Sequence, residues 1–275
     1  MIRYTAIGHI TKDIVANGWV FGGAVTFSAR AARALGCDVS VVTSCERGLD
    51  LISVLPDVAI VYQPSDRTTT FENIYMSNGR VQRLHAISDK LKIDLAQSLP
   101  RPIDIVHLAP VAQEVDPAWI DQFDGALIGV TPQGWLRQWD SAGRVKPIEW
   151  ANAAEILRRV AATIISIEDI GGDESIAQQW AAIAPVLVVT RGKAGCTVFS
   201  AGQPIDLAAP AVNAIDTTGA GDIFAAAFFV QLRRTHDPIA AGRFAVCLAA
   251  QSTTRVGIDG VPTRTEIEQC LAATQ

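Results

Sequence analysis

The chain has 275 residues, of which 49% are hydrophobic and 19% are charged. This composition supports a large buried core and excludes a disordered protein, and the length is typical of one large domain. The net charge of −5 argues against nucleic acid as the main partner.

The cysteines and the apolar runs indicate the compartment. The five cysteines are scattered and form no Cys-x-x-Cys pair, so we expect reduced thiols in the core rather than a disulfide framework or a zinc site. The start of the chain lacks a signal-peptide pattern, and no apolar run reaches the length of a membrane span. We therefore expect a cytoplasmic protein with no membrane contact.

Short β-rich runs alternate with helical patterns, which indicates an α/β fold with a mostly parallel sheet. The predicted strands are Tyr4–Ile10, Val39–Thr43, Val58–Tyr62, Ile103–Leu108, Ala126–Val130, Thr163–Ile167, Val186–Thr190 and Cys196–Ser200. The predicted helices are Gly22–Leu35, Asp50–Leu55, Pro117–Gln122, Ala151–Val160, Glu174–Ile183, Gly221–Leu232, Pro238–Thr253 and Thr263–Ala272.

One hairpin interrupts this alternation. Thr68–Met76 and Arg80–Ala86 flank Ser77-Asn78-Gly79, and Asn-Gly between strand-like runs predicts a tight turn. The hairpin suits a small β flap set apart from the main sheet, together with part of Asp13–Phe21. Alternation places Thr68, Thr70 and Glu72 on one face of the first strand, and we expect one face to line a pocket mouth.

The most specific motif is Asp-Thr-Thr-Gly-Ala-Gly-Asp at residues 216–222, followed by an apolar run fit for a buried helix. The amides of Gly219, Ala220 and Gly221 at a helix start form an anion site, because the first N–H groups of a helix are unpaired and its dipole is positive there. Asp222 lies in the first helical turn, where a carboxylate can take a proton from a hydroxyl.

This heptapeptide closely resembles the second signature of the ribokinase-like (PfkB) carbohydrate kinases. The resemblance implies a three-layer α/β sandwich formed by residues 1–275, with a small β lid built from parts of residues 12–21 and 67–86. It also implies transfer of the γ-phosphoryl group of ATP to a sugar or polyol hydroxyl, with Mg²⁺ as cofactor. Some members dimerise through the lid, so the resemblance also allows a homodimer of this protein through its lid.

On the acceptor side, the resemblance assigns sugar-hydroxyl contacts to Asp13 and Thr11, and a close substrate approach to Gly22 and Gly23. Phe27 stands where the first signature usually has Asn, which implies a substrate of different shape. In the loop 131–140, Gln133 and Arg137 match a family pattern that faces the active site. Trp135 and Trp139 in that loop either pack on a ring-shaped substrate or belong to the core.

On the nucleotide side, residues 190–195 resemble the family's nucleotide-contacting turn, which implies roles for Thr190, Arg191, Gly192, Gly195 and, in the later motif, Thr218. The family's Asn-x-x-Glu element, which is tied to magnesium, corresponds to residues 166–169 without its usual residue types. Glu168 and Asp169 would then hold Mg²⁺ through water. Some relatives hold K⁺ between a loop such as 253–260 and the backbone around Asp216.

A further resemblance links the threonine-rich strand, the loop 131–140 and the missing Asn to myo-inositol kinases of this family. A cyclic polyol is therefore expected as acceptor in preference to ribose. Two alternatives stay open: a nucleoside kinase, and a catalytically silent relative that binds a sugar or a nucleotide.

Overall fold

A computed structural model of the chain describes residues 1–76 and 79–274. The strands are β1 (Arg3–Ile7), β2 (Thr11–Val15), β3 (Gly18–Gly22), β4 (Asp38–Glu46), β5 (Ala59–Ser65), β6 (Thr69–Met76), β7 (Gly79–Ala86), β8 (Ile105–Leu108), β9 (Leu127–Val130), β10 (Arg137–Trp139), β11 (Val145–Pro147), β12 (Ala162–Ser166), β13 (Val186–Thr190), β14 (Cys196–Ser200) and β15 (Gln203–Leu207). The α-helices are α1 (Ala24–Ala34), α2 (Leu51–Val54), α3 (Ala153–Arg159), α4 (Glu174–Ala181), α5 (Ala220–Thr235), α6 (Pro238–Ser252) and α7 (Arg264–Ala273). No helix within the described ranges is long and apolar enough to cross a membrane.

Nine strands form the main sheet in the order β15-β14-β13-β12-β9-β8-β1-β4-β5. All neighbours are parallel except the β13–β14 and β14–β15 pairs, which are antiparallel. The loops that follow β1, β9, β12 and β13 therefore leave the same edge of the sheet, where open α/β folds bind ligands.

Each face of the main sheet carries its own core, because successive strand residues point to opposite sides. Val41 and Ile164 pack with residues of α1, α5 and α6 on one face. Their neighbours Val42 and Ile165 pack with residues of α3 and α4 on the other. The predicted three-layer fold is confirmed.

A second sheet has the order β3-β2-β6-β7. The β2–β3 and β6–β7 pairs are antiparallel, and β2 pairs with β6 in parallel. This confirms that the hairpin and part of residues 13–21 form a separate small sheet. Met76 lies opposite Gly79, while Ser77 and Asn78 of the predicted turn lie outside the described residues.

The strands β10, β11 and β15 were not predicted. The loop expected over residues 131–140 ends in a short antiparallel hairpin of β10 and β11, and the main sheet continues into β15 at its edge. Three-residue strands are too short to show a period of two, and β15 contains Pro204 and Asp206, which are rare in strand interiors.

The expectation of five reduced cysteines is wrong. Cys247 in α6 and Cys270 in α7 form a disulfide with their Cα atoms 5.8 Å apart. The pair is separated by 23 positions in sequence and meets only because α7 packs along α6, so no local spacing reveals it. Cys37, Cys45 and Cys196 are free and buried, as expected.

Candidate active site

The glycine turn at the start of α5 has the geometry of an anion site. Gly219 caps the helix in the left-handed conformation, with φ +76°. A Cβ added there would lie 2.2 Å from the Phe27 ring, so both the backbone conformation and the close packing require glycine. A Cβ added to Gly221, in contrast, would meet no atom within 4 Å, so space beside this amide is open.

Asp216 holds the turn in place. Its Oδ1 accepts hydrogen bonds from the backbone N–H and the hydroxyl of Thr218, at 2.9 and 2.7 Å, and its Oδ2 accepts the N–H of Gly257 at 2.8 Å. Burial would raise the pKa of Asp216, but these hydrogen bonds hold it below its usual value. The backbone of residues 215–216 also donates to the Thr253 carbonyl. The loop after α6 is therefore tied to the glycine turn.

Asp222 follows the turn as a half-buried carboxyl group. Burial raises the pKa of Asp222 to about 7. The Arg137 guanidinium opposes this rise, whereas the Asp169 and Asp13 carboxylates add to it. These four charged side chains come from α5, β10, the loop after β12 and β2, and they meet at the edge where the parallel strands end.

Asp13 is held from two sides. The Thr11 hydroxyl donates to its Oδ1 at 2.9 Å. A Cβ on Gly22, which pairs with Thr11 across the small sheet, would lie 2.3 Å from Asp13 Oδ2. Burial raises the pKa of Asp13, and the Thr11 hydrogen bond counteracts the rise. Thr11, Asp13 and Gly22 thus form one contact set, and their contact with a substrate stays a prediction.

Asp169 is the third carboxyl group of the site, beside Asp222 and Arg137. It caps a short 3-10 helix, Ile167–Ile170, and its Oδ2 accepts the Ser166 N–H at 3.0 Å. Burial raises the pKa of Asp169, while Arg137 and hydrogen bonds from Ser166 and Gln133 counteract the rise. Gln133 and Arg137 are therefore both beside Asp169, although Glu168 is exposed on the outer side of the turn.

Comparison with known proteins agrees with this arrangement. Residues 151–264 match the family model of the pfkB family carbohydrate kinases, and this segment contains the glycine turn, Asp169 and Asp222. The segment 151–264 therefore resembles a carbohydrate kinase domain of the pfkB family.

Relatives of known name cover only part of the sequence. The ribokinase of Bacillus subtilis is 40% identical over 87 residues, which are 31% of this chain and 30% of that protein. Among solved structures, a pyrophosphate-dependent kinase in the ribokinase family, complexed with a pyrophosphate analog and myo-inositol, has a TM-score of 0.80 at 22% identity and covers 97% of this chain and 99% of its own. The Arabidopsis thaliana ribokinase complexed with ribose and ATP has a TM-score of 0.73 at 18% identity, with 98% and 99% covered.

Phe27 stands where the resemblance to the first signature predicts Asn, and the structure shows what this side chain contacts. Phe27 is 3% exposed, and its ring lies against Gly219. The ring packs against the glycine turn and supports it. A direct contact between Phe27 and a substrate stays a prediction, and the buried ring offers little surface for such a contact.

The two tryptophans of the loop 131–140 have different surroundings. Trp135 is buried against Trp150 and donates its Nε1–H to the Val115 carbonyl at 2.7 Å. For Trp135, the core alternative therefore applies. Trp139 is half-buried and packs against the core on the face of the main sheet that carries α1, α5 and α6.

The turn predicted to contact nucleotide, residues 190–195, follows β13 at the site edge. The Thr190 hydroxyl donates to the Ile165 carbonyl at 3.2 Å. The Arg191 guanidinium forms an ion pair with Glu174 and donates from Nε to Thr197 at 3.0 Å. Gly192 and Gly195 both have positive φ, as the tight turn requires. The charge of Arg191 is thus already balanced within the protein, and its phosphate contact stays a prediction.

Sequence reasoning missed three buried residues that support the site: His9, His107 and Glu114. Burial lowers the pKa of His107 to about 3, so the ring is neutral. Its Nδ1 is hydrogen-bonded to the Tyr4 hydroxyl at 2.7 Å, and its Nε2 is hydrogen-bonded to the Thr131 hydroxyl at 2.9 Å. Thr131 begins the loop that carries Gln133 and Arg137. The sequence signal for His107 is a single polar residue within the apolar strand β8.

Proposed function

We propose that this protein transfers a phosphoryl group to a hydroxyl of a sugar or cyclic polyol. The observation that carries the proposal is the position of Asp222 in the first turn of α5, next to the open amide of Gly221, with a pKa near 7. A base with that pKa exchanges protons readily at neutral pH.

In the proposed reaction, Asp222 accepts the proton of the attacking hydroxyl. The hydroxyl oxygen bonds to the terminal phosphorus as the bond from phosphorus to the bridging oxygen of the donor breaks. The amides of Gly219, Ala220 and Gly221 stabilise the negative charge on the transferred group. Asp13 orients the acceptor through a second hydroxyl and is itself fixed by Thr11 and Gly22.

Charge at the site favours a neutral acceptor. Asp222 interacts with the Asp13 and Asp169 carboxylates and with the Arg137 guanidinium, which also interacts with Asp169. An acceptor that already carried a phosphate would face repulsion from these carboxylates, whereas the hydroxyls of a polyol donate hydrogen bonds to them. A ring with several hydroxyls therefore fits better than a sugar phosphate.

The donor side is compatible with ATP and Mg²⁺. No group of three or more His, Cys, Asp or Glu residues within the described ranges forms a metal cluster. Asp169 and Glu168 are nevertheless hard oxygen ligands at the site edge, suited to a water-bridged contact with an ion held mainly by phosphates. When bound, Mg²⁺ would neutralise charge on the donor phosphates. A K⁺ ion beside the Asp216 backbone stays part of the prediction.

Pyrophosphate is a second candidate donor. The structural likeness to the pyrophosphate-dependent kinase spans nearly the whole of both chains. Arg191, the cation of the predicted nucleotide turn, is paired with Glu174. A small inorganic donor needs only the glycine turn and the loop that Asp216 holds.

A phosphotransfer assay tests the proposal. Each donor, ATP or pyrophosphate, is offered with Mg²⁺ and equal concentrations of myo-inositol, ribose, fructose and adenosine. We expect transfer with myo-inositol preferred. Preference for adenosine would favour the nucleoside-kinase alternative. Binding without turnover of any acceptor would favour a silent relative and overturn the proposal.

Two variants test the assigned roles. Asp222→Asn should retain the fold and donor binding but lower turnover by ~10²-fold or more. Asp13→Ala should raise the acceptor KM far more than the donor KM, because Asp13 is anchored in the small sheet away from the residue 190–195 turn. Near-normal turnover of folded Asp222→Asn would contradict the assignment.

A further inference from the structure

His9 lies in the segment between β1 and β2, fully buried, and its imidazole makes two hydrogen bonds. Nε2 is 2.9 Å from the Asp89 carbonyl, and Nδ1 is 2.7 Å from the Thr69 hydroxyl. A carbonyl oxygen can only accept, so Nε2 donates to Asp89, and the Thr69 hydroxyl is the hydrogen-bond partner of Nδ1.

These two partners mark both ends of the β6–β7 hairpin. Thr69 is the first residue of β6, and Asp89 follows the end of β7 by three positions. The Thr69 oxygen also accepts the Ser88 N–H at 3.0 Å, and the Ser88 hydroxyl donates to Ser44 of β4 at 2.8 Å. One imidazole therefore joins the entry and the exit of the hairpin that forms half of the small sheet.

The backbone of His9 is anchored in the opposite direction, toward the main sheet. Its N–H donates to Glu114 Oε1 at 2.9 Å, and the same buried carboxylate accepts the N–H groups of Val111 and Ala112. On the other side, a Cβ on Gly23 would lie 2.4 Å from the His9 carbonyl oxygen. His9 thus contacts the buried Glu114 carboxylate, the Gly22–Gly23 turn and both ends of the hairpin.

We propose that His9 is a positioning residue that locks the small sheet to the main sheet and so fixes Asp13, four residues further along the chain, over Asp222. The proposal rests on the proposed function for its effect on catalysis. Its structural part stands on the hydrogen bonds alone. Buried polar networks of this kind define one geometry, since a displaced member loses partners that water does not replace.

Thr69→Val tests the lock, because valine keeps the shape of threonine and removes the hydroxyl that bonds His9. Thr69→Ser keeps the hydroxyl and should restore normal behaviour. Thr70→Val is the matched control on the same strand, since the Thr70 hydroxyl donates to the neighbouring Thr68 carbonyl at 2.8 Å and not to His9. His9→Asn, which can reach Thr69 but not Asp89, is a second variant should the first fail to fold.

The primary measurement is amide hydrogen exchange resolved by peptide. We expect Thr69→Val to speed exchange of the small-sheet segments, residues 11–22 and 69–86, about tenfold, with α5 and α6 unchanged. In an active enzyme, the acceptor KM should rise about tenfold while the donor KM changes less than about twofold, and more donor should be hydrolysed without transfer.

Several outcomes overturn the lock. One is unchanged exchange of the small sheet in both Thr69→Val and His9→Asn. Another is an equal increase of exchange in the Thr70→Val control. A third is faster exchange spread uniformly over the whole chain in Thr69→Val. If the wild-type protein phosphorylates no acceptor, the proposed function fails, but the exchange experiment still decides the lock.

Discussion

At the residue scale, the raised pKa of Asp222 makes both the stability of the protein and the proposed activity depend on pH. A carboxyl group whose pKa rises from 3.8 to about 7 on folding stabilises the folded state fully below pH 3.8 and loses that contribution as pH rises through 7. The ionised form, which the proposed reaction uses as its base, is therefore the form that the fold stabilises least.

This linkage predicts two pH profiles. The kcat/KM for the acceptor should rise with pH through an apparent pKa near 7. Asp222→Asn should be more stable than the wild type by about 1–2 kcal/mol at pH 8, a value reduced from the full shift because the side chain is half exposed. The difference should disappear near pH 4. Denaturant unfolding at both pH values measures it, and a variant less stable at pH 8 would contradict the pKa assignment.

The glycines of the turn provide a matched pair at the same scale. Gly219→Ala should destabilise the protein by about 1–3 kcal/mol, because alanine is strained at positive φ and its methyl group meets the Phe27 ring. Gly221→Ala should keep stability or raise it slightly, since it lies in the helix with open space around it.

Activity separates the two substitutions from simple folding effects. If the space beside Gly221 receives the transferred group, Gly221→Ala should lower turnover by ~10-fold or more in a fully folded protein. Thermal unfolding and phosphotransfer are measured on the same preparations. Full activity of Gly221→Ala would exclude this space as the anion site.

At the scale of elements, α6 and α7 are joined covalently near the loop that supports the glycine turn. Arg255 of this loop pairs with Glu266 of α7, and Gly257 bonds Asp216. The disulfide between Cys247 and Cys270 closes a segment of 23 positions. It should therefore restrict the unfolded chain as well as fix α7.

Cys247→Ser should lower the free energy of unfolding by about 2–4 kcal/mol under non-reducing conditions. Reductant should have the same effect on the wild type and none on the variant. Denaturant unfolding with and without reductant provides the comparison. A wild-type protein indifferent to reductant, with two additional titratable thiols, would show that the bond does not form in solution.

At the scale of the whole molecule, the small sheet exposes apolar side chains that a monomer would leave in water. Val15, Trp19 and Val20 are 44%, 43% and 50% exposed. A homodimer through this sheet would cover them. We expect light scattering to give a dimer mass at micromolar concentration and Val20→Lys to reduce it toward the monomer. A monomeric wild type would contradict the dimer.

Much of the architecture could be predicted because it rests on local signals. The alternation of apolar runs with helical patterns gave the order of strands and helices, and Asn-Gly between two strand-like runs gave the hairpin. The 216–222 motif located the start of α5 with its glycines and Asp222, since helix starts and left-handed turns restrict residue type at single positions. Asp13 and Thr11 were likewise predicted together, and they share a hydrogen bond.

The tertiary structure decided what depends on contacts between distant segments. It joined Cys247 to Cys270, buried Trp135 in the core, turned the Phe27 ring beneath Gly219 and paired Arg191 with Glu174. It also gathered His9, Thr69 and Glu114 into one network. Each residue type alone is compatible with an exposed loop or an unrelated role. Long-range partners set the burial and the charge of a side chain, and these determine what it can do. The sequence alone could therefore locate the glycine turn but not the distant residues that support it.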